Sequence, residues 1–366
     1  MTDPHDDLRW MQRALALARQ GEGRVEPNPM VGCVITQENR VVGEGFHTAF
    51  GADHAEIEAL RQAGEQAAGG CLYVTLEPCC HQGKTGPCVQ AIIKAQSGRV
   101  VVALKDPFPQ VAGKGLSVLE SHGIEMVTGV ARAEADELNA PYLHAIETGR
   151  PWVIAKWAMT LDGKIATSTG ESQWISNAAS RAKVHQLRGR VDGIIVGIKT
   201  AQQDDPLLTA RPPGPRTATR IVLDSNAQLA CDSQLVRSAK EVPLLVVTGE
   251  QASEEATSRL ADAGCEILRI DQQSPNEQLR CLLEILGKRK MTNLLVEGGG
   301  TVLGSLLDAG LIDEVHAFIA PLIVGGTGPG PVMGNGIKQL DMARRFPQLK
   351  VEQIDGDLYL WGRFAR

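Results

Sequence analysis

The chain has 366 residues, 43% hydrophobic and 22% charged with a net charge of −6, which is too long for one core and leads us to expect two domains. The acidic balance gives no support for a nucleic-acid or membrane-binding surface, and no apolar run nears the roughly 20 residues that cross a bilayer. The acidic start, MTDPHDDLRW, predicts no signal peptide, so the eight cysteines are expected in a reducing cytoplasm as ligands or core residues.

Residues 6–20 place Leu8, Met11, Leu15 and Ala18 on one helical face, closed by Gly21 and Gly23. MVGCVIT (30–36) and RVVGEGF (40–46) predict a β-hairpin. HAEIEALRQAG (54–64) predicts a helix, CLYVTLEP (71–78) a strand and PCVQAIIKAQSG (87–98) a short helix. RVVVALKDP (99–107) and IEMVTG (124–129) are further strands. This alternation predicts a three-layer α/β domain over residues 1–146, with HAIETGRPW (144–152) marking the change of domain.

A second alternating pattern fills residues 150–366. WVIAKWAM, GIIVGI, RIVLDS, PLLVVTG, EILRI and NLLVEGG predict strands, and SRAKVHQLRG and LRCLLEILGKR predict helices. The tail VEQIDGDLYLWGRF alternates around an Asp-Gly turn and predicts a terminal hairpin.

The stretch TLEPCCHQGKTGPC (75–88) concentrates three cysteines and a histidine in a Gly/Pro-rich loop. With His54 and Glu56 it gives H-x-E, then P-C and a second P-C, the pattern of a zinc deaminase. His54, Cys79 and Cys88 would be three ligands of one zinc ion per chain, leaving a position for water, and Glu56 would move protons without ligating. Cys88 opens a helix, whose positive end favours thiolates. A closed structural site would instead need a fourth ligand, from Cys80 or His81, and buried cysteines can also be mere packing. Cys80 is adjacent to Cys79, so both reaching one ion would be strained. His81 and Lys84 lie in the insert between the ligands, as a hydrogen-bond donor and a phosphate partner; a lone Lys is more often a solvated charge.

PNPMVGCVI (27–35), GEGFH (43–47), HAE, the cysteine loop and KDPFPQVAGKGL (105–116) resemble the deaminase half of the bifunctional riboflavin-biosynthesis deaminase/reductase. The resemblance implies a cytidine-deaminase-like three-layer α/β/α domain in which zinc activates water against the amino-bearing carbon of a phosphoribosylated diaminopyrimidine. It also implies that Asn28, His47, His81 and Lys84 contact the base and ribose phosphate. Cys80 and Gly86 depart from the pattern, where a small polar residue and a second Pro are usual.

In the second half, TNLLVEGGGTVLGSLLDAG (292–310) is a strand, three glycines and a helix, an arrangement that favours an anionic ligand but also serves a turn for steric reasons alone. It is not G-x-G-x-x-G, which argues against a Rossmann domain. KWAMTLDGKIATSTGESQWIS (156–176) reads as a polar loop hung on a strand, with Lys156, Asp162 and Lys164; GIKTAQQDDPLLTAR (197–211) reads as another loop. Together these segments resemble the reductase half of the same family, which implies a dihydrofolate-reductase-like α/β fold and NADPH. Carried over, the cofactor would meet Ala158, Trp174, Thr200, Asp204, Ser225 and the turn Gly299, Gly300, Thr301, Val302, Leu303, Gly304 and Ser305. Substrate would meet Ser172, Arg188, Leu208, Arg211 and Glu297. Lys156, Asp204 and Glu297 are candidates for polarising the carbon that accepts hydride. A homo-oligomer, dimer or tetramer, is also implied, acting on a small molecule with no nucleic-acid or membrane partner. The competing readings are a nucleoside, nucleotide or tRNA deaminase joined to an unrelated reductase, and a non-catalytic zinc-binding protein.

Overall fold

A computed structural model describes residues 4–80, 86–272 and 274–365. The chain separates into two compact units, Met1–Gly149 and Arg150–Arg366.

The first unit is built on five strands, β1 (Gly32–Gln37), β2 (Arg40–Phe46), β3 (Cys71–Val74), β4 (Arg99–Val102) and β5 (Glu125–Thr128), in the order β2-β1-β3-β4-β5. The β1–β2 hairpin turns through Glu38 and Asn39, both at positive φ, the mirror-image turn whose twist suits a tight hairpin. β3, β4 and β5 run parallel. Alternate residues face two different cores. Cys33, Ile35, Leu72, Val74, Val100 and Val102 pack against the helix Ala55–Ala63 and its neighbours. Val34, Tyr73 and Val101 pack against Trp10, Met11, Ala14 and Leu15 of the helix Pro4–Ala18. Both sheet faces are therefore covered, giving three layers. The buried face of that first helix includes Asp7 and leaves Leu8 exposed, a correction to the expected stripe. Asp7 can be buried because Arg99 grips it with two bonds of 2.7 and 2.8 Å and Tyr73 donates a third of 3.0 Å.

The second unit carries β6 (Trp152–Thr160), β7 (Gly193–Gly197), β8 (Thr219–Leu223), β9 (Leu244–Thr248), β10 (Glu266–Arg269), β11 (Asn293–Val296), β12 (Glu314–Ala320), β13 (Leu349–Ile354) and β14 (Asp357–Arg363). They form one sheet, β10-β9-β8-β7-β11-β6-β12-β14-β13, parallel as far as β12 and antiparallel in the last two pairs. One face packs on the helices Pro275–Lys288 and Gly300–Asp308 through Val153, Ile195, Leu245, Leu294 and Val315. One expectation fails here. Residues 197–211 are not simply a loop, because Ile198–Asp204 is helical. Lys156 lies within the expected strand, which continues to Thr160 before the polar loop begins. No described helix is long and apolar enough to cross a membrane.

Candidate active sites

The helix Ala55–Ala63 lies directly on β2, and the GEGFH motif explains why. A Cβ on Gly43 would come within 2.2 Å of the Ala59 carbonyl oxygen, and one on Gly45 within 2.4 Å of that of Ala55. Glycine alone permits this approach, which sets His54 at the helix N-terminus and Glu56 in its first turn. The His54 Nδ1 lies 3.2 Å from the Cys88 Sγ and 3.5 Å from the Cys79 Sγ. All three ligand atoms fall within 4.8 Å of one another. A tetrahedral zinc bound at about 2.0–2.3 Å separates its ligands by about 3.5–3.8 Å, so the three side chains fit one ion. The helix Cys88–Lys94 begins at the second cysteine, and the Cys88 backbone N–H donates to the Cys79 Sγ at 3.3 Å. Cys79 is held down to about 4 by the hydrogen bond from Cys88, while the same bond and burial push Cys88 up. Cys80 turns away and donates toward the Gln110 carbonyl at 3.7 Å.

Glu56 is buried, 3% exposed, and burial raises its pKa. Beside it, His47 meets the Asp53 carbonyl through Nδ1 at 3.0 Å and Asn28 through Nε2 at 3.1 Å. A carbonyl can only accept, so Nδ1 carries the proton and Nε2 accepts from the Asn28 amide. Asn139 clamps the Asn28 loop, exchanging bonds of 2.8 and 3.0 Å with the Met30 backbone. Glu77, within the E-P-C motif, accepts backbone N–H groups from Asp106, Gly113, Gly115 and Leu116 at 2.9–3.4 Å. This carboxylate ties the 105–116 loop to the strand end that carries Cys79.

In the second unit a cavity of about 910 Å³ opens where β6, β7 and β11 end. Glu297 is its electrostatic centre. Arg188 grips it with two bonds, 2.5 and 2.9 Å, and the Lys156 Nζ lies 3.6 Å away. Burial would raise the Glu297 pKa, but Arg188 and then Lys156 overcome this and hold it at about 2. Burial lowers Lys156 and raises Asp204, which accepts from the Ser172 hydroxyl at 3.3 Å. Glu297 is thus held charged by its neighbours, whereas burial shifts Lys156 and Asp204 toward their neutral forms against the pull of theirs. The helix Gly300–Asp308 starts at the wall with Gly299 at φ 67°, offering backbone N–H groups for an anion.

A family model for the cytidine and deoxycytidylate deaminase zinc-binding region matches residues 4–104. The RibD C-terminal domain matches residues 151–360. The riboflavin biosynthesis protein RibD of Actinobacillus pleuropneumoniae is 40% identical over 97% of this chain and 94% of its own length. That of Escherichia coli K12 is 37% identical over 97% and 98%. The chain belongs to the RibD family. Two solved structures agree: RibD from Acinetobacter baumannii, at 37% identity, covers 100% of both chains with a TM-score of 0.88. A deaminase/reductase from Thermotoga maritima, at 32%, covers 99% of both with a TM-score of 0.86.

As a RibD-family protein, the chain is a bifunctional deaminase and reductase of riboflavin biosynthesis, with zinc and NADPH as its cofactors. The structure brings Lys156, Ala158, Ser172, Trp174, Arg188, Thr200, Asp204, Leu208, Arg211, Glu297 and Gly299–Leu303 onto the wall of the second cavity. That volume falls in the upper part of the ~300–1,000 Å³ range of small-molecule sites. Three expected cofactor residues stand off the wall. Ser225 is exposed past the end of β8, and Ser305 is one turn into the helix. Gly304 answers to packing, because a Cβ there would meet the Met333 carbonyl oxygen at 2.1 Å. Asp162 accepts from Thr160 and from the Val324 and Gly325 amides, so it shapes a turn. His81 and Lys84 lie outside the described residues. The sequence reading missed Glu77, Asn139 and His185, the last of which also lines the second cavity. Only the helical spacing of His185 with Arg181 and Arg188 signalled it.

Proposed function

We propose that residues 1–146 deaminate 2,5-diamino-6-(5-phosphoribosylamino)pyrimidin-4(3H)-one, taking in water and releasing ammonia. Residues 150–366 then reduce the ribosyl group of the product to ribityl with NADPH. The observation that carries this reading is the meeting of His54, Cys79 and Cys88 around one point with buried Glu56 beside them.

When bound there, zinc supplies a water acidic enough to attack at neutral pH. The Glu56 carboxyl takes the proton from that water and passes it to the departing nitrogen, a task suited to a carboxyl whose pKa is raised by burial. Asn28 and His47, with their hydrogen-bonding sense set by the Asp53 carbonyl, hold the pyrimidine edge. In the second unit NADPH supplies the hydride. Lys156 donates toward the reacting ribose group, while Glu297 and Asp204 hold its charge and orientation. Arg211 takes the substrate phosphate, a match to the guanidinium fork.

A homo-oligomer, dimer or tetramer, is part of the same reading. Leu340 is 88% exposed, Ile323 71% and Val351 60%, large apolar side chains that an assembly could cover. The location is cytoplasmic, with no nucleic-acid partner, in line with the acidic composition. The test is Glu56→Gln. It should retain zinc by elemental analysis, stop ammonia release, and still oxidise NADPH when given the deaminated intermediate. Ammonia release at the parent rate would overturn the assignment.

A further inference from the structure

The helix Ala178–Arg188 presents Arg181, His185 and Arg188 to the reductase cavity, four and three residues apart and so on one face. Two of the three are already engaged. Arg188 spends its fork on Glu297, and Arg181 donates to the Ser176 carbonyl at 2.5 Å while lying over the Trp174 ring. His185 differs. Its Nδ1 sits 3.2 Å from both the Thr209 carbonyl oxygen and the Arg211 backbone nitrogen, and its Nε2 has no hydrogen-bond partner among the described residues. The Arg211 side chain is likewise without an ion-pair or hydrogen-bond partner among them, and it is exposed.

We infer that His185 is a third element of the phosphate subsite, seating the substrate phosphoryl group beside Arg211 and gaining a proton as that group binds. This rests on the phosphorylated substrate proposed above. The ring nitrogen at Nδ1 can serve two partners, but not both at once. Neutral, the ring has two tautomers: with Nδ1 bare it accepts the Arg211 N–H and Nε2 carries the proton, and with Nδ1 protonated it donates to the Thr209 oxygen and Nε2 can only accept. Only the imidazolium combines the bond to Thr209 with a donor at Nε2 and adds a positive charge for an anion.

The surroundings set which form prevails. Facing the ring are Arg188 and Arg181 on its own helix, Arg211 from the 205–211 segment, and Glu297 from the end of β11. Burial, then Arg188, then Arg211 lower the His185 pKa, with Glu297 and the Thr209 carbonyl opposing. The free subsite thus keeps the imidazole neutral. A phosphate dianion placed among these cations reverses the local charge and favours the imidazolium. Binding draws in a proton and tightens as pH falls through the range where the free ring is neutral.

The test uses the full-length protein, ribose 5-phosphate as the probe, and His185→Gln, which keeps hydrogen-bonding capacity at the loop but cannot titrate. Calorimetry in buffers of different ionisation enthalpy reads the protons taken up per ligand. The parent should take up a fraction of a proton at neutral pH, and the variant less by that amount. The variant's reductase KM for the phosphorylated intermediate should rise about tenfold near pH 6, the worth of one charge-assisted hydrogen bond, and converge on the parent at high pH. Its kcat and its ammonia release should stay unchanged. Equal proton uptake by parent and variant would overturn the inference, as would a pH-independent KM change, which marks a purely structural tether. A parent that binds ribose 5-phosphate with proton uptake but does not reduce the pyrimidine would sink the substrate proposal and leave the subsite standing.

Discussion

Replacing Glu297 by Gln removes the one negative charge that Arg188 and Lys156 share, without changing the size of the side chain. Its carboxyl is 5% exposed, so solvent screening is weak. A fall from the ordinary 4.5 to about 2 corresponds to about 3 kcal/mol of preference for the charged form in the folded protein. Because the folded value is depressed, this stability is fully present above about 4.5 and disappears as pH falls toward 2. The variant also leaves two buried cations facing each other, so the loss should be at least this large. In a unit of this size it equals a drop of roughly 6–12 °C in Tm. Urea titration followed by tryptophan fluorescence suits the measurement, since Trp152, Trp157, Trp174 and Trp361 all lie in the second unit. Expected is a deficit constant from pH 8 to 6 that shrinks below about 4.5. A deficit under about 1 kcal/mol at pH 7, or one of equal size at pH 7 and pH 3, would refute the reasoning.

Chelation should abolish ammonia release while NADPH-dependent reduction of the intermediate continues, and zinc should restore the first activity. Loss of both together would count against two independent sites. Arg211→Ala should raise the reductase KM about tenfold or more with deamination unaffected; an unchanged KM would remove it from the phosphate subsite. Gly304→Ala should destabilise the second unit by a few kcal/mol, as overpacking does, because the Met333 carbonyl at 2.1 Å is backbone and cannot swing away. A normal melt with weakened NADPH binding alone would instead return Gly304 to the cofactor site.

The metal centre was legible because its ligands sit in short motifs whose spacing the fold preserves. The same holds for β1–β2 and most parallel strands, whose apolar runs are buried on both faces. Much of what escaped has a common cause, which is polar side chains in buried places. β12 was missed because EVHAFIA puts Glu314 and His316 where a strand's inward face should be apolar. The fold satisfies them with Trp152, Arg363 and Tyr359, at 3.2, 2.9 and 2.6 Å, all remote in sequence. Asp7 disguised the first helix's inward face in the same way. The helix Ile198–Asp204 buries only Ala201, so it carries no periodic stripe to detect. Glu77 stood inside a recognised motif, but nothing local marks a carboxylate that gathers amides from 29 to 39 residues away.

β12 has one more consequence, for how the protein is made. β12 is hydrogen-bonded to β6, the first strand of its unit, yet it emerges about 150 residues later, and its other neighbour, β14, later still. During synthesis the nascent chain can complete β1 to β5 and bury their side chains while the rest is untranslated. The reductase sheet has no such option. A messenger cut short before β14 would yield a working zinc half trailing an unpaired strand edge, a ready seed for aggregation.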